Sequence, residues 1–168
     1  MEQKSTQECR VVANYIIEMI NKHNEGKLYS ERIFMTVKRL QKLLYFCDVN
    51  HMKEYNGLPM FNDLFCAWPS GPVIPSIYDE YLQYQNGVIK PIYDDLVISI
   101  TSQKAYIVDK VLEDTKDIDT FDLVKICRVD NGPWDQVFDA NDKEHNQIIS
   151  KEEMYNYYRE NKKKIRKK

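Results

Sequence analysis

Between Thr36 and Glu54 the positions Val37, Leu40, Leu44, Cys47 and His51 follow one another at helical spacing, and Leu43 and Phe46 widen the stripe they form. This pattern predicts a helix over 36–54. Thr36 is suited to cap it, because a hydroxyl accepts from the free N–H groups of a first turn. Asn56, Gly57 and Pro59 are suited to stop it, since two of them tolerate positive φ and the third cannot extend a helix. So apolar a helix must be covered by other elements, which makes it the expected centre of the fold.

The rest of the pattern supplies those elements. Ser5 and Glu8 have capping-box spacing, and Val12, Tyr15, Ile16, Met19 and Ile20 give the following helix one apolar face up to Gly26. No firm element is predicted over residues 25–35. Phe61–Trp68 (FNDLFCAW), rich in aromatics, predicts a short strand. Pro69, Ser70, Gly71 and Pro72 then force a turn, and Pro75 opens a third helix over 75–86 that faces inward through Ile77, Tyr78, Tyr81 and Leu82. The β-branched run Leu96–Ile100 (LVISI) predicts a second strand, paired with 61–68. Further helices are expected over 103–113, from a Thr120 cap to Asn131-Gly132-Pro133, as a short turn at Trp134–Phe138, and after Ser150 and Glu153, a second capping box. The fold class is therefore mainly α with a small antiparallel β element (α+β), in one compact helical domain spanning residues 1–161.

Composition narrows the class. A chain of 168 residues with 43% hydrophobic and 30% charged residues is long enough to bury one core and ordinary for a globular protein. No apolar run reaches a membrane span, and MEQKSTQECR lacks the apolar region of a secretory signal, so a cytoplasmic location is expected. Charge is distributed unevenly. Residues 162–168 (KKKIRKK) hold six of the 24 basic side chains, which leaves residues 1–161 with 18 basic against 26 acidic groups, a net −8. The tail is expected to be disordered and is the one footprint for phosphate backbones. It has no interleaved aromatics for base stacking, so nucleic acid is not an expected partner.

Candidate chemistry is sparse. Cys47 and His51 lie four apart on one helical face, half a metal site, but Cys66, Cys127, His23 and His145 add no supporting spacing, and no metal or other cofactor is expected. Cys9, Cys47, Cys66 and Cys127 read as reduced, buried thiols. There is no G-x-S-x-G and no phosphate-binding glycine pattern, so the chain is not expected to be an enzyme; a hydrolase would need a spatial Cys/His/Asp cluster. The run Trp68–Val73 allows two readings. It is a rigid turn with Trp68 in the core, or a preformed loop offering Trp68 and its prolines to a partner. Pro133-Trp134 poses the same choice and favours the core.

Three blocks in order, KRLQKLLYFCDVNHM, CAWPSGPVIPSIYDEY and PWDQVF with IISKEEMYNYY, resemble the Panacea domain family of SocA-like antitoxins, over Thr36 to Tyr158. The resemblance implies an antitoxin of a toxin–antitoxin pair, of bacterial or phage origin. Such a protein neutralises the toxin encoded beside it by direct contact, or, in the SocA branch, delivers it to the ClpXP protease as an adaptor. It also implies a structural role for His51, where the family commonly has histidine. Before Pro133 the chain reads KICRVDNG, where the family usually has a polar-histidine pair, and the additional helix-turn-helix of some relatives has no counterpart. On this reading Leu44, His51, Trp68, Gly71, Pro72, Pro133 and Trp134 are structural, and Pro69, Ser70, Asp79, Glu80 and Tyr84 are the expected partner-binding residues. The alternatives are a nucleic-acid-associated regulator that uses the basic tail and an interaction protein of a phage or mobile element.

Overall fold

The computed structural model describes residues 4–161; the expected disorder of 162–168 concerns residues outside that range. Helix α1 (Gln7–Asn24) is followed by a single 3₁₀ turn at Tyr29–Glu31 and then by α2 (Val37–Glu54). The hairpin β1 (Phe65–Trp68) and β2 (Gly71–Val73) leads into α3 (Pro75–Glu80) and a further 3₁₀ turn at Leu82–Tyr84. After a long extended segment come α4 (Ser102–Thr115), α5 (Thr120–Cys127), α6 (Pro133–Val137), β3 (Ile148–Ile149) and α7 (Lys151–Glu160). The protein is thus mainly helical with one small antiparallel sheet in the order β2-β1-β3.

Helix α2 is the axis. Fourteen of its eighteen residues are buried, because α1, α4, α5, α7, α3 and β2 all pack against it. Leu40, Leu43, Leu44, Phe46 and Cys47 lie in the main core with Ile16, Ile17, Phe65 and Ile77. The Thr36 hydroxyl accepts from Arg39 N, as the sequence predicts. A helix covered on all sides also buries polar residues, and each has a specific partner. Arg39 donates to the carbonyls of Ile118 and Thr115, at 2.8 and 3.1 Å. Asp48 accepts from Met60 N at 2.8 Å and from the Lys151 ammonium, which lies over the rings of Phe61 and Phe65. His51 Nδ1 is 2.7 Å from the Leu58 carbonyl, so that nitrogen carries the proton.

Several sequence expectations shift. The cap of α1 is Thr6, whose hydroxyl accepts from Cys9 N, not Ser5. Ser5 instead donates its N–H and hydroxyl to Glu80, and Thr6 N donates to Asp63, so the start of α1 is tied to α3 and to the segment before β1. Asp119 rather than Thr120 caps α5. Ser150 caps α7 as expected. The strand before the turn is shorter than predicted, 65–68, and the helix after it splits into α3 and the 3₁₀ turn at Leu82–Tyr84.

The largest difference concerns LVISI, which forms no strand. The chain ahead of it and its own first residues are tied to α1 by side chains: Asn14 exchanges two hydrogen bonds with the Ile92 backbone, Arg10 holds Asp95 and the Asp94 carbonyl, and Gln7 bonds Asp95 O and, within LVISI, Val97 N. Asp95 adopts φ 53°, which breaks the extended course, and Val97 faces solvent. The partners of β1 are Gly71–Val73 and Ile148–Ile149 instead.

Candidate functional site

The segment Trp68–Ile74 is where stiff backbone, aromatic rings and buried polar anchors meet. Trp68 pairs with Gly71 across the hairpin, so Pro69 and Ser70 form its tip. Gly71 has φ +101°, a conformation that side chains disfavour, and a Cβ there would lie 3.2 Å from both Cε and Nζ of Lys42. Glycine is needed both for the turn and for that close approach.

Beneath the turn, three buried side chains hold its backbone. Lys42 Nζ donates to the Pro72 carbonyl at 2.7 Å. The Gln41 amide forms a two-way pair with Ile74, accepting from its N–H at 2.8 Å and donating to its carbonyl at 3.1 Å. Trp134 Nε1 donates to the Trp68 carbonyl at 2.8 Å, with the ring stacked on Phe138 and covered by the Arg128 guanidinium. These bonds also close the outer edge of the sheet, since Pro72 has no N–H and its carbonyl is occupied. Burial lowers Lys42 to about 8. Beside it, burial pushes the Cys127 thiol up to about 12, which keeps it in the unreactive protonated form.

Above the turn the expected partner-binding residues divide. Pro69 and Asp79 are exposed, while Ser70 and Tyr84 are half-buried. Glu80 also lies here, but its carboxylate already accepts from Ser5 and faces Arg10 at 3.7 Å, so it serves the internal packing of α1 on α3. Half-buried Trp68 packs edge-on against Tyr78 with ring centroids 5.0 Å apart, which combines the two readings of that residue. Tyr81 is buried, so of the tyrosines on this stretch Tyr78 and Tyr84 reach the surface. Of the residues assigned to structure, Leu44, His51, Gly71, Pro72, Pro133 and Trp134 are buried.

Sequence reasoning missed Gln41 and Lys42, because the predicted stripe left them facing solvent. No local signal marks them, because their burial depends on what packs against that side of α2. Cys47 and His51, which share the spacing of half a metal site, have other roles: Cys47 is fully buried with its pKa raised by desolvation, and His51 is committed to Leu58. Among the described residues no three His, Cys, Asp or Glu side chains are grouped to hold a metal ion, and no helix is long and apolar enough to cross a membrane.

Comparison with known families places this site within a single match. The model of the family described as antitoxin SocA-like, Panacea domain, matches residues 40–135, which include Lys42, the hairpin, α3 and Trp134. Curated proteins and solved structures give no match. Because the matched residues make up more than half of the chain, the protein belongs to the antitoxin SocA-like, Panacea domain family.

Proposed function

We propose that this protein is an antitoxin that neutralises one cognate toxin by direct binding, without catalysis of its own, through the outer face of the Trp68–Gly71 turn and the adjoining α3. The observation that carries this reading is a turn segment tied from below by three buried side chains through four hydrogen bonds, with Pro69, Asp79, Tyr78 and Tyr84 at or near the surface above it. A loop already held in shape loses little conformational entropy when a partner seats on it. Tyrosine contributes a large contact area while keeping its hydroxyl wet. The net −8 of residues 1–161 favours a basic partner and fast, salt-sensitive association. A cytoplasmic setting follows from this role. Delivery of the toxin to ClpXP is a second route to the same outcome, resting on the SocA-like character of the family.

The test uses Asp79→Lys combined with Tyr84→Ala, in a protein checked for an unchanged melting temperature. Co-expressed with the product of the adjacent reading frame, the double variant is expected to lose both co-purification and rescue of growth. Wild-type neutralisation by this variant would move the interface elsewhere. Neutralisation that fails only in cells lacking ClpX would favour delivery over simple binding.

A further inference from the structure

Lys42 is fully buried on α2 and has a single protein acceptor, the Pro72 carbonyl. Among the described residues it makes no ion pair. Buried charges are normally paired with a carboxylate, and a buried ammonium that meets only one carbonyl is an expensive way to fill space. An apolar side chain of the same length would fill the same volume at lower cost. What the amine adds is a donor for Pro72 O, on the sheet edge where no neighbouring strand can supply one. Gly71 closes on the amine so tightly that a Cβ would touch both Cε and Nζ. Lys42 therefore meets the turn from inside the protein and exposes no surface of its own.

We propose that Lys42 is a positioning residue for partner recognition: through the Pro72 carbonyl and the close approach of Gly71 it sets the shape of the Pro69–Ser70 tip that the partner contacts. The inference rests on the reading of that turn as the binding face. Gln41 acts beside it by pairing with both backbone groups of Ile74, so adjacent residues of one helix hold the middle of β2 and the residue that follows it. Rigid support from the most buried helix of the fold lets the tip hold its bound form before the partner arrives.

Lys42→Met keeps the length and removes the donor; Lys42→Gln restores a donor on a shorter chain. Three readouts are taken: melting temperature, amide exchange at Ser70 and Gly71, and affinity for the purified product of the adjacent reading frame. Lys42→Met is expected to melt no lower than wild type, exchange at the tip at least about tenfold faster, and bind about tenfold more weakly, with partial recovery in Lys42→Gln. Wild-type affinity in Lys42→Met, while Asp79→Lys with Tyr84→Ala abolishes binding, would overturn the positioning role and leave the binding face in place. If the surface variant binds like wild type, the face itself is wrong and the positioning role falls with it, whatever the exchange rates. Should Lys42→Met fail to fold, Lys42→Gln alone decides: faster exchange with weaker binding supports the role, and unchanged exchange and binding overturn it.

Discussion

At the scale of single residues, the polar groups inside α2 are the most informative part of the molecule. Lys42 carries a pH signature. Its pKa is lowered by burial from an ordinary 10.5 to about 8. Below pH 8 the amine is charged in both the folded and the unfolded chain, and the folded state bears the desolvation cost. Above pH 8 the folded protein releases a proton that the unfolded chain keeps up to its own pKa, so this group adds stability as pH rises. Relative to Lys42→Met, the wild type is expected to gain stability between pH 8 and 10, on the order of 2–3 kcal/mol in total. Buried tyrosines such as Tyr45 and Tyr158, whose pKa values are raised by desolvation, act the opposite way but equally in both proteins. Urea titrations of the pair across this range measure it; parallel curves would show that Lys42 keeps an ordinary pKa. Asp48 and Lys151, unlike Lys42, form an ion pair, with side-chain exposures of 0% and 14%. Lys151→Met strands the buried carboxylate and is expected to cost about 3–5 kcal/mol, read from the urea midpoint. Leu44, fully buried, should cost about 2–5 kcal/mol as Leu44→Ala; a loss under half a kcal/mol would place it outside the core.

At the scale of elements, the hairpin depends on its glycine. Gly71→Ala meets two penalties, a side chain at φ +101° and contact with the Lys42 amine. It is expected to destabilise by more than about 1 kcal/mol, and also to weaken partner binding, because the turn cannot keep its shape. A neutral effect in thermal melts would mean that the turn readily adopts another conformation. Helices were the most legible elements, and the reason is physical. Apolar period and capping chemistry are local, so α1, α2, α4 and α7 could be located from Thr36, Ser150 and the stripes alone. Strand pairing depends on contacts distant in the chain. LVISI has every local property of a strand, yet the backbone ahead of it is taken by Asn14, Arg10 and Gln7 of α1, and the two-residue β3 at Ile148–Ile149 pairs with β1 from far along the chain.

At the scale of the whole molecule, one helix packed against α1, α3, α4, α5 and α7 predicts all-or-none unfolding. Near-UV signals from Trp68 and Trp134 and far-UV helix signals should fall together in urea with one midpoint. Two separated midpoints would show that the C-terminal part, α5 to α7, unfolds independently of α1 and α2. The proposed binding face lies where several elements meet, since it needs α2 for its anchors, α6 for Trp134 and α3 for Asp79. Loss of cooperativity would therefore separate the face from its supports.

The sequence by itself determined the central helix, the fold class, the turn at Pro69–Gly71 and, through its ordered motifs, the family; each of these is written in residue spacing or local backbone chemistry. Only the tertiary structure decided which side chains hold the turn, that Glu80 serves α1 instead of the surface, and that Gln41 and Lys42 face inward. Those outcomes depend on what covers each side of α2. A helix enclosed all round buries polar residues that a one-faced helix would leave in water, and no periodicity in a single segment reports how many neighbours will surround it.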